Sequence, residues 1–314
     1  MITPLHRNIL ARHKGTLSGA LRVLPFRSRA LGVSRTVFVY EPPNMRNVSD
    51  MHLLYLFRGH EREFVYINED DSRETTTIED LDALIVSGEI PPVMAVIPGL
   101  TSLDGKKHSM GINTLVPPQD MRDGLGTGQV WDFLTLDLIP YLEARYQKKL
   151  GSGIRMAAGF SLGGYTAALL ATAFPGYLDH AGIYDGLFMF DGQTDIRTNA
   201  PDEIWLKSAV PDAALGPAEK RSPENLAPWN PAELIRYADP VTLEEIQETM
   251  FWIRSAAGDG QEGNHDRCKY FTALLREHGI TAGFNRIPLH PDARHTWHWN
   301  DRFIRLFLLN VFSV

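Results

Sequence analysis

The chain has 314 residues, 44% of them apolar, and a formal net charge of −7. That length can bury one large core or two ordinary ones, and no apolar run is long enough to span a bilayer. Cys268 is the one cysteine, which excludes an internal disulfide. Basic residues are interspersed with Asp and Glu and form no stripe, which argues against a nucleic-acid partner.

Residues 1–14 are mixed and polar, with His6, Arg7, Arg12, His13 and Lys14. They lack the apolar stretch and small-residue cleavage site of a secretory signal, so a cytoplasmic location is expected. Short apolar runs then alternate with helical patterns along the chain, with no internal repeat. This alternation predicts an α/β fold around a mostly parallel sheet. About eight strands are expected, at 19–25, 36–40, 52–57, 93–97, 154–159, 180–184, 250–256 and 282–288. The first two read as an antiparallel start. The runs Leu53–Phe57 and Val93–Ile97 are apolar throughout, as in central strands buried on both faces.

A helix is predicted over 130–146, with a kink at Pro140. A second, over 165–174, is apolar nearly all round and is therefore expected to be buried. Residues 191–248 carry prolines from Pro201 to Pro240 and are too broken for a core of their own. They are expected to form a cap or pocket wall on a single domain spanning 1–314, with short helices at 231–237 and 242–248. Cys268 is expected on a helix as a partly buried small residue.

The strongest chemical signal is Gly159-Phe160-Ser161-Leu162-Gly163-Gly164, set between a predicted strand and a predicted helix. A strand that turns sharply into a helix leaves its apical serine strained and crowds the residues two before and two after it. Gly159 and Gly163 relieve that crowding, and Gly164 lets the helix approach the sheet. Ser161 is thus a candidate nucleophile at a helix N-terminus that favours developing negative charge.

A serine hydroxyl needs a base, and on this strand–turn–helix device the order is serine, acid, histidine. The segment 289–299 follows the last expected strand and offers His290, His295 and His298. Their spacing matches no standard zinc motif, and no metal or other cofactor is expected. The acid is expected past the strand 250–256. Asp259 comes first, between Gly258 and Gly260; Glu262 is the alternative, and Asp266 is placed inside the next helix. The charged stretch Glu69-Asp70-Asp71 reads as a solvated loop or polar rim and lacks the spacing of a calcium loop.

Taken together, these blocks resemble the esterase family of α/β-hydrolases. That family includes S-formylglutathione hydrolases, feruloyl and acetyl-xylan esterases, enterochelin-esterase-like proteins and mycolyltransferases. The likeness runs from about Ser28 to Phe307. It rests on Leu31-Gly32 with Arg35 and Pro42-Pro43, on the strand Leu53–Phe57 entering the turn at Gly59, on Asp137–Tyr141, and on His295-Thr296-Trp297 with Trp299. The last block resembles the family's Gly-His-x-Trp and selects His295 as the catalytic histidine. The resemblance also places the acid at Asp259 and implies an oxyanion hole from the backbone N–H groups of His60 and Leu162. Arg58, Ala256 and Arg294 depart from the family's His, Gly and Gly. The expected activity is hydrolysis of a small-molecule or acylated ester through an acyl-enzyme. An acyltransferase would use the same residues. A binding protein on this fold would usually have lost a triad member, and here serine, histidine and acids all remain. Oligomeric state and substrate are open.

Overall fold

The computed structural model describes residues 2–45, 48–103, 109–116, 124–190, 223–258, 264–283 and 287–313. Its core is a seven-stranded sheet in the order β1-β2-β4-β3-β5-β6-β7. The strands are β1 (Ala20–Arg27), β2 (Ser34–Glu41), β3 (His52–Phe57), β4 (Val93–Pro98), β5 (Arg155–Phe160), β6 (His180–Tyr184) and β7 (Met250–Arg254). β1 pairs antiparallel with β2, and β2 with β4; from β4 through β3, β5, β6 and β7 every pairing is parallel. The expected eighth strand is reduced to two isolated bridges among the described residues, Phe251 with Ala282 and Ser255 with Pro288.

Continuous apolarity has the consequence expected of it. Leu53 to Phe57 and Val93 to Ile97 are fully buried, because both sheet faces are covered. One face packs α1 (Pro4–Thr16), α2 (Thr77–Val86) and α10 (Trp297–Val311) through Ile9, Ile78, Leu81, Phe303 and Phe307. The other carries α3 (Val130–Asp132), α4 (Ile139–Leu150), α5 (Leu162–Ala173) and α9 (His265–Glu277). Burying a phenylalanine such as Phe303 contributes roughly 1.5–3 kcal/mol.

Pro140 acts before its own position. Residues Phe133–Leu138 form a π-helical segment, in which Ile139 N–H donates five residues back to Leu134. Proline has no N–H and crowds the carbonyl four residues earlier, and the widened turn absorbs both defects. Within that segment Asp137 accepts from Ser28 Oγ and from the N–H groups of Arg29 and Ala30, at 2.6, 2.7 and 2.9 Å.

Residues 191–222 of the expected cap lie outside the described residues. The remainder forms α6 (Pro223–Leu226), α7 (Pro231–Arg236) and α8 (Pro240–Gln247). This part packs on the helix after the nucleophile turn: Tyr165 donates its hydroxyl proton to Trp229 O at 2.5 Å, and Leu226 joins Leu162, Tyr165 and Leu169 in an apolar cluster. Cys268 lies on α9 as expected but is wholly buried, and burial pushes its thiol well above the usual range. No helix among the described residues is long and apolar enough to cross a membrane.

Helices α1, α2, α6 and α10 are not among the elements expected from sequence, and the first two are instructive. Helix α1 has a low density of apolar residues but strong end signals: Thr3 accepts from His6 N–H, and the His6 ring accepts from Thr3 N–H. Helix α2 carries the same reciprocal cap through Thr76 and Glu79.

Candidate active site

β5 ends at Phe160 and α5 begins at Leu162, so Ser161 alone makes the turn. Its φ is 56°, a left-handed conformation that costs a non-glycine residue on the order of 1–3 kcal/mol. Neighbouring backbone holds it there. Ser161 N–H donates to Tyr184 O, and Ser161 O accepts from Leu187 N–H, both at 3.0 Å. A Cβ on Gly159 would lie 2.1 Å from Gly163 O. One on Gly163 would lie 1.7 Å from Phe57 O, so that glycine is required mainly by the adjacent strand β3. A Cβ on Gly164 would lie 2.9 Å from Ile183 Cγ2 of β6, which is the close helix–sheet approach expected of it.

His295 lies in the turn before α10, with its ring centroid 4.5 Å from that of Phe160. The turn is pinned on several sides. Tyr184 Oη donates to Arg294 O at 2.6 Å, and Ala257 N–H donates to Ala293 O at 2.9 Å. The Asp70 carboxylate accepts from Trp297 N–H at 2.9 Å, and Ser72 Oγ accepts from His298 N–H at 3.2 Å. Asp70, in the stretch read as a solvated loop or polar rim, therefore contributes a cap to the N-terminus of α10.

The three histidines separate cleanly. His290 is exposed and stacks on Trp299. His298 meets Trp299 edge-on. Only His295, of these three, meets a buried carboxylate: its Nδ1 is 2.5 Å from Asp185 Oδ2. Asp259 and Glu262, the two acids singled out from sequence, lie outside the described residues. Asp266 is on α9, as expected.

Asp185 directly follows β6, is completely buried, and has φ 49°. Phe160 and Tyr184 are register partners at the ends of β5 and β6. Ser161 and Asp185 are thus the next residues on adjacent strands, both left-handed. The other carboxylate oxygen of Asp185 accepts from Ala256 N–H at 3.1 Å and Asn264 N–H at 3.0 Å, and Asn264 Nδ2 donates to Asp185 O at 2.9 Å. A carboxylate so held only accepts, which puts the imidazole proton on Nδ1 and leaves Nε2 with its lone pair.

The expected oxyanion donors have unequal surroundings. Leu162 opens α5, so its N–H has no acceptor within the helix. His60 N–H faces a side chain: Glu63 Oε2 accepts from His60 N–H at 2.5 Å and from Gly59 N–H at 2.7 Å. Burial raises the Glu63 carboxyl above its usual range, against the pull of Arg58 and of these two bonds. Arg58 Nε is 3.9 Å from Glu63 Oε1, and its guanidinium lies 5.0 Å from the Phe160 ring centre.

The segment after the turn is tied to α10. Arg73 is buried, pairs with Asp301 at 2.9 Å and lies 4.5 Å from the Trp297 ring centre. It also donates to Glu63 O. Among the described residues, no group of three His, Cys, Asp or Glu is placed to hold a metal ion.

Residues 28–304 match the protein family described as "Putative esterase". No curated protein sequence matches the chain significantly. Among solved structures, a ferulic acid esterase aligns with TM-score 0.65 and 17% identity, over 95% of this chain and 99% of its own. A fluorophosphonate-binding serine hydrolase F of Staphylococcus aureus aligns with TM-score 0.64 and 17% identity, over 94% and 99%. An S-formylglutathione hydrolase from Agrobacterium tumefaciens aligns with TM-score 0.61 and 14% identity, over 93% and 94%. At such identities the structural likeness establishes the α/β-hydrolase fold, and the sequence match establishes the rest: the chain belongs to the esterase family of α/β-hydrolases and is a carboxylic ester hydrolase.

Proposed function

We propose that the chain hydrolyses a small-molecule ester through an acyl-enzyme on Ser161, with His295 as general base and Asp185 as the acid. The observation that carries this reading is the 2.5 Å contact between His295 Nδ1 and the buried Asp185 carboxylate, beside the strained serine turn. Ser161 Oγ attacks the carbonyl carbon while His295 Nε2 takes its proton. The carbonyl oxygen becomes an oxyanion facing Leu162 N–H and, once Glu63 gives way, His60 N–H. The tetrahedral intermediate collapses, and His295 returns the proton to the departing alcohol. Water, deprotonated by the same imidazole, then releases the acid and regenerates Ser161. Asp185 holds the tautomer and stabilises the transient imidazolium. The apolar cluster of Leu162, Leu187, Met189 and Leu226 supplies one wall beside the serine, in keeping with a pocket-wall role for the described part of the 191–248 insertion.

The test is reaction with a fluorophosphonate followed by peptide mapping, together with turnover of p-nitrophenyl esters. Labelling at Ser161, lost with activity in Ser161→Ala, supports the reading. Turnover that survives Ser161→Ala overturns it.

A further inference from the structure

Helix α1 lies outside the segment that matches the family, which starts at residue 28. Yet it reaches the turn after β3 with two buried imidazoles. His6 Nε2 is 2.9 Å from Glu61 Oε1, and His13 Nε2 is 2.7 Å from Val65 O. Glu61 is the residue next to His60, the expected oxyanion donor, and Val65 closes the same turn.

The protons on these rings can be placed. Thr3 N–H donates to His6 Nδ1 at 2.9 Å, which leaves Nε2 of His6 to donate to Glu61. Val65 O only accepts, so His13 Nε2 is also a donor. Burial opposes the Glu61 charge, but the bond from His6, its own backbone N–H and the Arg35 guanidinium hold its carboxyl below the usual range. Arg35 is itself fixed by the carbonyls of Gly99, Thr101 and Gly124. A Cβ on Gly99 would come within 2.5 Å of Glu61 Oε2, so the carboxylate is wedged between α1 and the end of β4. On its far side the same turn is held by Arg73, bonded to Glu63 O and to Asp301 of α10.

We propose that α1 is a clamp on the oxyanion turn, in which His6 and His13 are positioning residues that hold the backbone carrying His60 N–H, so that the donor is in place once Glu63 gives it up. This rests on the esterase reading above and on His60 as an oxyanion donor. An oxyanion donor contributes only while it points at the place where charge develops, and an error of about 1 Å elsewhere in a site can cost on the order of a hundred-fold in rate. His6 acts one residue away, through Glu61, and leaves the ester itself untouched. Its loss should therefore appear in the rate and not in substrate binding.

The experiment compares wild type, His6→Ala, His6→Gln and His13→Ala with a p-nitrophenyl ester, counting active serines by fluorophosphonate titration. His13 is the more deeply buried, so His6→Ala is the decisive variant, and melting temperature is recorded for each. We expect kcat per titrated serine to fall roughly ten-fold in His6→Ala, with KM within about two-fold. His6→Gln, whose amide can donate to Glu61, should recover most of the loss. The Ki of a trifluoromethyl ketone, which forms a tetrahedral adduct, should rise by the factor by which kcat/KM falls. An unchanged kcat per titrated serine in His6→Ala, whatever happens to the melting temperature, would overturn the clamp. Failure of the esterase reading shows separately, as wild-type labelling elsewhere than Ser161 or activity that survives Ser161→Ala.

Discussion

Asp185 and His295 stand 110 residues apart in sequence and meet at 2.5 Å, across the carboxyl ends of the central strands. The aspartate is fully buried and spends its second oxygen on two backbone N–H groups, so its position is set by the sheet and not by the histidine. Asp185→Asn should therefore keep the geometry but offer an amide in place of a pure acceptor. It can then favour the imidazole tautomer that lacks a lone pair towards the serine. We expect kcat to fall by roughly 10³–10⁴ with little change in KM. Asp259→Asn and Glu262→Gln should stay within a few-fold of wild type. Loss confined to Asp259→Asn would move the acid back to the position read from sequence.

The choice between Asp185 and Asp259 shows what a sequence carries. The nucleophile turn is legible because its residues are contiguous: an added Cβ would clash at 2.1, 1.7 and 2.9 Å on Gly159, Gly163 and Gly164. The buried strands are legible because two covered faces require continuous apolarity. The acid is less so, since any strand end on the right side of the sheet can supply it. The pair Asp185-Gly186 after β6 is one such strand end, and the one after β7, to which the family likeness points, is another. Helix α1 was hidden for another reason. Its buried face mixes His6 and His13 with Ile9, so the apolar periodicity is interrupted.

Ser161→Ala should abolish ester turnover while leaving a cooperative melt, because Ser161 is held by its backbone and its hydroxyl adds little to packing. His295→Ala should be about as damaging, since knocking out either member of a unit that acts together removes the whole effect. His290→Ala and His298→Ala should each retain activity within a few-fold, because their rings pack against Trp299. Steady-state kinetics on the four variants checks this, and a dead His298→Ala beside an active His295→Ala would reassign the base.

Under the proposed mechanism, Glu63 competes with the oxyanion for His60 N–H. A carboxylate acceptor makes a bond roughly twice as strong as a neutral one. Glu63→Gln keeps an acceptor of the same reach and weakens the competition. We expect kcat/KM to rise several-fold, with tighter binding of a tetrahedral-adduct inhibitor. A loss of both would mean that the charge on Glu63 is needed to shape the turn.

His13 should make the folded state sensitive to acid. Its ring is almost wholly buried on α1, and burial lowers its pKa from the ordinary 6.5. The bond to Val65 and the nearby Glu79 carboxylate pull the other way, while Arg12 and Arg73 add to the depression. Above pH 6.5 the ring is neutral in both folded and unfolded chains, so it contributes no pH dependence. Below 6.5 the unfolded chain binds a proton that the folded chain refuses. Stability therefore falls as the pH drops from 6.5 towards the lowered pKa, by at most about 1.4 kcal/mol per pH unit for one site. His13→Gln keeps a donor for Val65 O and removes the titration. Urea unfolding at pH 7.5 and pH 5 should show the wild type losing more stability than the variant over that interval. Equal losses in the two proteins would mean that His13 is not an acid-sensitive hold on α1.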